Sequence, residues 1–194
     1  MKPFRSVTSR AAVLDRADVD TDQIIPKQFL KRIDRTGYGE FLFYDWRKEP
    51  DFELNREDCA GARILLAGAN FGCGSSREHA AWALQDYGFE VVVAPSFGDI
   101  FYSNSVQIGL VPAVVGHAEV KQLMRAAEAG DEVTIDLEAQ TAVAGGLSFP
   151  FEMDAFVRHS LLNGLDSIGR TLEFDADISA FEKLRPWSLS TTSL

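Results

Sequence analysis

The side chains best suited to chemistry lie together in one short segment of the chain, GANFGCGSSREH. Its second half brings two of the segment's three glycines together with two adjacent serines and an arginine: Gly72, Gly74, Ser75, Ser76 and Arg77. Glycines allow a backbone to approach a ligand closely, and the free N–H groups at the start of a helix attract anions. Two hydroxyls and a guanidinium at such a position therefore indicate a binding site for a carboxylate or a phosphate.

The sequence on either side predicts the elements that would position this segment. The apolar run at residues 64–67 predicts a buried strand before it. Apolar residues spaced as on one helix face predict an amphipathic helix after it, with a stripe formed by Ala80, Ala83, Leu84 and Tyr87. The two serines and the arginine would then lie on the first turn of that helix.

Ser75 also fits a purely structural explanation. Together with Glu78, three residues later, it matches a capping box, which stabilises a helix by ~0.5–2 kcal/mol without any other function. Against this alternative, Arg77 stands near the positive end of the helix dipole, where a cation is disfavoured. The misplaced positive charge indicates that an anion binds there.

Two common phosphate-binding motifs do not match this segment. A dinucleotide fingerprint requires a third glycine where the chain has Arg77, and a P-loop requires a lysine that is absent here. The formal net charge of −10 argues against a nucleic-acid partner, which needs a basic face. The segment is therefore not a standard nucleotide cradle, and its arginine must act locally within an acidic protein.

The composition is that of an ordinary globular protein. The chain has 194 residues, enough for one domain with a sizeable core, and 46% of them are hydrophobic and 25% charged. No apolar run approaches the ~18 residues that a membrane-spanning helix needs. Charged residues interrupt the N-terminal sequence, so we expect no signal-peptide core there and predict a cytoplasmic protein.

Strands that alternate with helices predict the α/β class. Strands are predicted at residues 7–14, 64–67, 91–94 and 110–115, with a hairpin formed by 133–137 and 141–143. Further helices are predicted at 97–106 with Ser96 as cap, at 120–127 with Gly130 as terminator, and from Asp154 to about residue 162. The proline in the 110–115 strand indicates a position at an edge or an end of its sheet.

An acidic run near the N-terminus resembles the start of a calcium-binding loop. Its aspartates are Asp18, Asp20 and Asp22, but the sixth and twelfth residues are not the glycine and glutamate that calcium loops require. The aspartates are instead predicted to shape a turn by bonding local backbone N–H groups. A short strand is predicted to follow at Ile24 and Ile25.

Two segments are predicted to lie outside the regular core. Residues 31–50 combine five basic side chains with glycines and aromatics, and we predict a long, mobile loop there. Within it, Arg35 and Thr36 directly precede Gly37, which can serve as a hinge. Residues 170–194 are predicted to form a polar C-terminal extension anchored by two aromatic residues, Phe181 and Trp187.

Four motifs in order along the chain resemble the swivelling domain of the aconitase superfamily, in particular the small subunits of its isopropylmalate hydro-lyases. They are GSSREH followed by AAWAL, DVDTDQIIPKQFL at residues 18–30, SFGDIFYSNS at 96–105 and LLNGLDSIG at 161–169. The resemblance implies a compact three-layer β/β/α architecture. Residues 1–194 are accordingly predicted to form a single swivelling domain.

The same resemblance implies an activity and roles for individual residues. The reaction would be the dehydration of 2-isopropylmalate to isopropylmaleate, followed by rehydration to 3-isopropylmalate, in leucine biosynthesis. Ser75 would be the catalytic base, while Ser76 and Arg77 would bind a substrate carboxylate. The loop that carries Arg35 and Thr36 would cover the active site and discriminate between substrates.

The resemblance further implies a [4Fe–4S] cluster, which cysteine thiolates would hold. The chain has only Cys59 and Cys73, without CxxC spacing, and they cannot supply three ligands. We therefore predict that this chain binds neither a cofactor nor a metal and that a large partner subunit carries the cluster. Two alternatives remain open: the small subunit of a homoaconitase or a methylmalate-type hydro-lyase, and a non-catalytic anion-binding module.

Overall fold

The computed structural model describes residues 1–31, 35–75 and 77–184. Within these ranges the strands are β1 Ser6–Ser9, β2 Ala11–Leu14, β3 Ile64–Ala67, β4 Val91–Ala94, β5 Val111–Val114, β6 Val133–Asp136, β7 Thr141–Ala144 and β8 Leu147–Pro150. The α-helices are α1 Thr21–Ile24, α2 Glu78–Tyr87, α3 Asp99–Ile108, α4 His117–Glu128, α5 Ala155–Asn163, α6 Ser167–Leu172 and α7 Asp175–Leu184.

A parallel sheet with the order β2-β3-β4-β5 forms the centre of the molecule. Every residue of β3 and β4 is buried, as expected for parallel strands covered on both faces. On one face, Leu65 and Val92 pack against Leu84 of α2. On the other face, Ile64 and Val93 join the core beneath α4 and the second sheet. The prediction of an edge position for the proline-containing strand is confirmed, because β5 is the last strand of the sheet.

The second sheet is antiparallel, with the order β1-β6-β7-β8. The predicted hairpin is confirmed as β6 and β7, and β8 extends it by a strand that the sequence did not reveal. The single strand predicted at residues 7–14 is wrong. Its two halves, β1 and β2, belong to different sheets and separate at Arg10, whose carbonyl accepts a 2.7 Å hydrogen bond from the Ser9 hydroxyl.

Helix starts and one short strand differ from the prediction. Helix α2 begins at Glu78 rather than at Ser75, and α3 begins at Asp99 with Gly98 as its N-cap. The short strand predicted at Ile24 and Ile25 is wrong, because residues 21–24 form α1. This helix forms because Asp20 and Gln23 make a capping box, which the prediction overlooked. The Gln23 N–H donates to the Asp20 carboxylate, and the Asp20 N–H donates to the Gln23 side-chain oxygen, both at 2.8 Å.

The segment predicted as a long loop at residues 31–50 is a loop only in part. Tyr38, Leu42 and Phe43 are fully buried, and short 3-10 helices form at Gly39–Phe41 and Trp46–Lys48. The Tyr38 N–H also donates a 2.9 Å hydrogen bond to the Asp86 carboxylate on α2. The second half of the segment is thus part of the core, because its aromatic side chains pack inward between the charged ones.

In the described part of the predicted C-terminal extension, residues 170–184 form the end of α6 and the whole of α7. Neither helix buries a residue, and the Phe181 ring is 70% exposed, so its predicted role as an anchor is not seen. The other predicted anchor, Trp187, lies outside the described residues. Among the helices that the structure describes, none is long and apolar enough to span a membrane.

Candidate active site

The segment with the candidate catalytic residues lies at the carboxyl ends of the parallel strands. It follows β3 and pairs on one side with the loop after β2, where the Thr21 N–H donates to the Cys73 carbonyl at 3.0 Å. On the other side it pairs with the loop after β4, where the Phe71 N–H donates to the Ser96 carbonyl at 3.0 Å. Ligands of open α/β sheets bind at this edge, so the location supports a binding site.

Gly72 is required by the packing of this loop. Its φ of 73° lies in the left-handed region, and a Cβ atom there would come within 2.6 Å of the Phe101 Cβ on α3 and overlap the Phe101 ring. Gly74 has a φ of 90°, but a Cβ there would reach no atom closer than 3.5 Å. Gly72 therefore fixes the loop against α3, whereas Gly74 supplies a backbone conformation.

We expect Gly72→Ala to destabilise the fold more than Gly61→Ala. Both glycines have a positive φ near 70°, at 73° and 74°, but a Cβ at Gly61 would meet nothing within 4 Å. The backbone strain is therefore matched, and the difference measures the clash with Phe101, for which overpacking costs ~1–3 kcal/mol. Urea denaturation of the two variants gives this difference, and equal losses of stability would show that Phe101 does not hold the loop.

Ser75 is exposed at the end of this loop, and Thr21 holds its backbone. The Thr21 hydroxyl, on a residue that is only 2% exposed, donates a 3.0 Å hydrogen bond to the Ser75 carbonyl. Within the described residues, the Ser75 hydroxyl makes no hydrogen bond of its own. A fixed backbone and an uncommitted hydroxyl are what a group that acts on a substrate needs. Ser76 lies outside the described residues.

The capping box proposed for Ser75 and Glu78 is not formed. The N-cap of α2 is Arg77, which has extended backbone angles (φ −144°, ψ 114°) and makes no side-chain capping bond. The sequence pattern misled because it places the cap at Ser75, whereas helix α2 begins only after Arg77. The first N–H groups of α2 thus have no cap from the N-cap side chain, which leaves them available to an anion.

Arg77 is held in place by an ion pair with Asp22 of α1. Its two terminal nitrogens face the two carboxylate oxygens, with Nη2 at 3.0 Å from Oδ2 and Nη1 in contact with Oδ1. The Arg77 side chain is 15% exposed, whereas the Asp22 side chain is 50% exposed. The pair compensates the charge of Arg77 near the helix start. Sequence reasoning missed it, because the two residues are 55 positions apart.

Of the other aspartates of the acidic run, Asp20 bonds a local backbone N–H group as predicted, whereas Asp18 bonds a distant side chain instead. Asp20 caps α1, and the Asp18 carboxylate accepts a 2.7 Å hydrogen bond from the Asn70 side chain of the site loop. The Asp18 N–H donates to the Ala69 carbonyl at 2.9 Å. This run therefore positions the site loop in three ways: through Asn70, through the Thr21 backbone and through Arg77.

The structure places Arg35 beside Trp82 in the middle of α2 rather than at the start of this helix. The Arg35 guanidinium carbon lies 5.8 Å from the centre of the Trp82 ring, and Thr36 is exposed. Among the described contacts, Arg35 touches neither Ser75 nor Arg77. The predicted closure of this segment over a substrate would need Arg35 to leave the Trp82 ring.

His79 packs between two aromatic rings on the same flank of α2. Its ring centre is 5.1 Å from that of Tyr38 and 4.7 Å from that of Trp82. Burial disfavours the charged imidazolium and lowers the pKa of His79 below its ordinary value. A neutral, ring-packed histidine at this position supports the helix start without adding a positive charge.

The lowered pKa of His79 predicts how stability changes with pH. As the pH falls below about 6.5, the unfolded chain binds this proton before the folded chain does, so the free energy of unfolding should decrease until the folded-state pKa is passed. His79→Gln should remove the decrease, whereas His117→Gln, at an exposed position of α4, should keep it. Urea denaturation at several pH values below about 6.5 measures the free energy of unfolding of both variants. If the free energy of His79→Gln still decreases with pH as in the unsubstituted chain, the decrease does not come from His79.

The residues of this chain do not fit an iron–sulfur cluster. Cys59 lies before β3, where its thiol donates to the Glu53 carbonyl at 3.4 Å, while Cys73 lies in the loop after β3. Burial raises the pKa of both thiols, which disfavours the thiolate that a metal needs. In the described part of the chain, no group of three or more His, Cys, Asp or Glu side chains could hold a metal ion.

The two sheets, the helical layer and the loop at the carboxyl edge define a swivelling domain of the aconitase type. The Aconitase C-terminal domain family matches residues 1–117, and the LeuD_N family matches residues 121–155. A solved structure from Methanocaldococcus jannaschii, titled 3-isopropylmalate dehydratase (leuD), is 28% identical. It superimposes with a TM-score of 0.69 over 90% of this chain and 98% of that one.

Curated relatives identify the family more closely. A protein of Acidobacterium capsulatum is 54% identical, with 94% of this chain and 90% of the relative covered. A protein of Rubrobacter xylanophilus is 52% identical over 96% of each chain, and one of Rhodopirellula baltica is 54% identical over 95% of this chain and all of the relative. All three are named 3-isopropylmalate dehydratase small subunit. The chain belongs to this family, as its four sequence motifs predict.

Proposed function

We propose that this chain is the small subunit of the hydro-lyase that interconverts 2-isopropylmalate and 3-isopropylmalate through isopropylmaleate in leucine biosynthesis. One observation supports its part in the chemistry above all others. The uncommitted hydroxyl of Ser75 stands two residues before Arg77, whose charge is fixed at the uncapped start of α2. A base, a cation and free N–H donors thus lie together at the carboxyl edge of the parallel sheet.

The difficult step of the reaction is the removal of a proton from a carbon atom beside a carboxylate. In the proposed mechanism, the Ser75 oxygen, in its deprotonated form, takes that proton while the neighbouring carbon loses its hydroxyl group. A helix start stabilises a negative charge by ~0.3–1 kcal/mol, which is less than the ~1.36 kcal/mol of one pKa unit. Most of the activation of Ser75 must therefore come from Arg77 and from the exclusion of water.

Arg77 has donors left for a substrate carboxylate. A guanidinium has five N–H groups, and a two-point ion pair with Asp22 uses two of them. The remaining donors, together with the first N–H groups of α2, suit a carboxylate that lies beside Ser75. Asp22 thereby orients the guanidinium without saturating it.

The proposed site is incomplete in this chain alone. Ser75 is exposed, so water competes for the charges that would activate it. We propose that the large subunit covers the site and carries the [4Fe–4S] cluster, since the cysteines of this chain do not fit one. The cluster would supply Lewis-acid chemistry to the departing hydroxyl group. We also propose a cytoplasmic location, which suits the two free cysteines.

The assignment of the substrate is tested with the reconstituted two-subunit enzyme. We expect kcat/KM for isopropylmalate to exceed that for homocitrate and for methylmalate, because the curated relatives are named for the isopropylmalate reaction. A preference for homocitrate or methylmalate would instead assign the chain to a homoaconitase or to a methylmalate-type hydro-lyase. Binding of dicarboxylates without turnover of any of them would leave the anion-binding module as the better account.

Substrate discrimination by the 31–50 segment is tested at two arginines. We expect Arg35→Gln to lower kcat/KM for isopropylmalate by about tenfold or more, since a charge-assisted hydrogen bond contributes ~1.5–3 kcal/mol. Arg47→Gln is the matched control, because its guanidinium also lies over an aromatic ring, that of Tyr87, at 5.0 Å. Tyr87 ends α2, ~13 Å along the helix axis from its start. Small and equal effects at both positions would mean that the segment does not contact the substrate.

A further inference from the structure

The C-terminal helices carry apolar side chains that the described chain leaves uncovered. We name them the C-terminal apolar surface: Phe156, Ile168, Leu172, Phe174, Ile178 and Phe181. Ile178 and Phe181 lie three residues apart on α7, and Phe174 directly precedes this helix, with its carbonyl accepting a 2.9 Å hydrogen bond from the Ile178 N–H. The Phe174 and Phe181 rings are 59% and 70% exposed.

Helix α7 needs a partner to account for this surface. It has ten residues and buries none of them, and an isolated helix shorter than ~12–15 residues is marginal in water. A contiguous exposed patch of large apolar side chains marks an interaction site more often than a free surface. Between α5, α6 and α7 the patch borders a groove of about 540 Å³, lined by Phe156, Phe174 and Ile178 together with polar side chains, among them Arg170, whose guanidinium lies 4.8 Å from the centre of the Phe156 ring.

This surface is connected to the active-site edge through α3. The N-cap of α3, Gly98, donates a 2.9 Å hydrogen bond to the Phe71 carbonyl in the site loop. Along the same helix, Tyr102 and Val106 line a cavity of about 220 Å³ together with Phe156 of the C-terminal apolar surface. A partner that covers Ser75 and extends along α3 therefore reaches this surface.

The charges around the surface disfavour a second copy of the chain. Between residues 166 and 184 there are five carboxylates and two cations, namely Asp166, Glu173, Asp175, Asp177 and Glu182 with Arg170 and Lys183. A two-fold contact would bring two such acidic surfaces together, and both copies would carry a formal net charge of −10. A partner that complements this surface would present apolar side chains with basic ones around them.

We propose that the C-terminal apolar surface is a docking site for the large subunit, which seats an apolar ridge with a basic rim in the groove between α5 and α7. This inference rests on the proposed function, since it takes a large subunit as the partner. It gives α6 and α7 a role in binding, whereas neither helix takes part in the proposed chemistry. The same contact would order α7 and bring the large subunit along α3 to the site loop.

The test measures the Kd of the complex between this chain and its cluster-loaded large subunit. We expect the double variant Phe174→Glu, Phe181→Glu to raise Kd by at least about tenfold, because buried aromatic anchors dominate binding energy. Leu147→Glu on β8 is the matched control, at 40% exposure, and should leave Kd within about twofold. At saturating small subunit, the kcat of the double variant should equal that of the unsubstituted enzyme.

Two further measurements separate the outcomes. With the unsubstituted chain, hydrogen exchange in residues 168–184 should slow when the large subunit binds, which requires no variant to fold. Ser75→Ala should leave Kd unchanged, so a failure of the proposed catalytic role does not affect the docking result. An unchanged Kd for the double variant, or no protection of residues 168–184, overturns the proposal. So does self-association of the isolated chain that the double variant abolishes, because the occupant would then be a second copy.

Discussion

Ser75→Ala is expected to lower the kcat of the reconstituted enzyme by roughly 10²–10⁴-fold, the range that general acid–base catalysis typically contributes. The structure sharpens this expectation, because Ser75 does not cap α2 and its hydroxyl makes no hydrogen bond within the described residues. The substitution therefore removes no stabilising contact that the structure shows. We expect the melting temperature to stay unchanged, and Ser148→Ala, at an exposed position of β8, to affect neither quantity.

The measurement pairs steady-state kinetics with thermal unfolding of the same preparations. A large loss of kcat with an unchanged melting temperature assigns Ser75 to the chemistry. An unchanged kcat would remove Ser75 as the base. A fall in melting temperature would instead show that its hydroxyl stabilises the fold.

The second large effect is expected at Arg77. We expect Arg77→Gln to lower kcat/KM for isopropylmalate by roughly 10–150-fold, which corresponds to ~1.5–3 kcal/mol for a charge-assisted hydrogen bond. Arg77→Lys should recover only part of this loss, because an ammonium keeps the charge but not the planar fork that holds both Asp22 and a carboxylate. Kinetics of both variants with 2-isopropylmalate measure the effect.

Arg63→Gln is the control for the loss of an ion pair. Arg63 pairs with Glu90 at 2.6 Å and stands before β3, whereas Arg77 follows it. Both guanidinium groups thus contact one carboxylate, but only Arg77 lies at the carboxyl edge of the parallel sheet. Equal kinetic losses in Arg63→Gln and Arg77→Gln would attribute the effect to the fold. Full recovery by Arg77→Lys would mean that only the charge matters.

Sequence patterns are sufficient to predict the elements in which the local periodicity of apolar residues matches their burial. The all-apolar run of β3, the stripe of Ala80 and Leu84 on α2 and the Asp154 cap of α5 each follow from residues a few positions apart. The carboxyl end of β3 was therefore predictable as the place of the site. The glycines of the loop indicated a tight turn, but only the structure shows that Phe101 makes Gly72 necessary.

The errors arose where distant contacts override a local pattern. Ser75 and Glu78 satisfy the capping-box spacing, yet helix α2 begins only after Arg77. The sequence pattern does not indicate the burial of Tyr38 and Phe43, because charged residues stand near both in the sequence, although both side chains are fully buried. The ion pair of Asp22 and Arg77 has no signature in one sequence, because its members meet only after β2 and β3 have paired.

The most direct test of the central claim is a titration of a cluster-loaded large subunit with this chain, followed by the interconversion of 2- and 3-isopropylmalate. The claim is that this chain supplies the base and the carboxylate contacts to a site that the large subunit completes. We expect neither subunit alone to turn over isopropylmalate, this chain to contain no iron, and activity to rise until each large subunit has one small subunit. Turnover by the isolated, iron-free chain, or by the large subunit without it, would contradict the account.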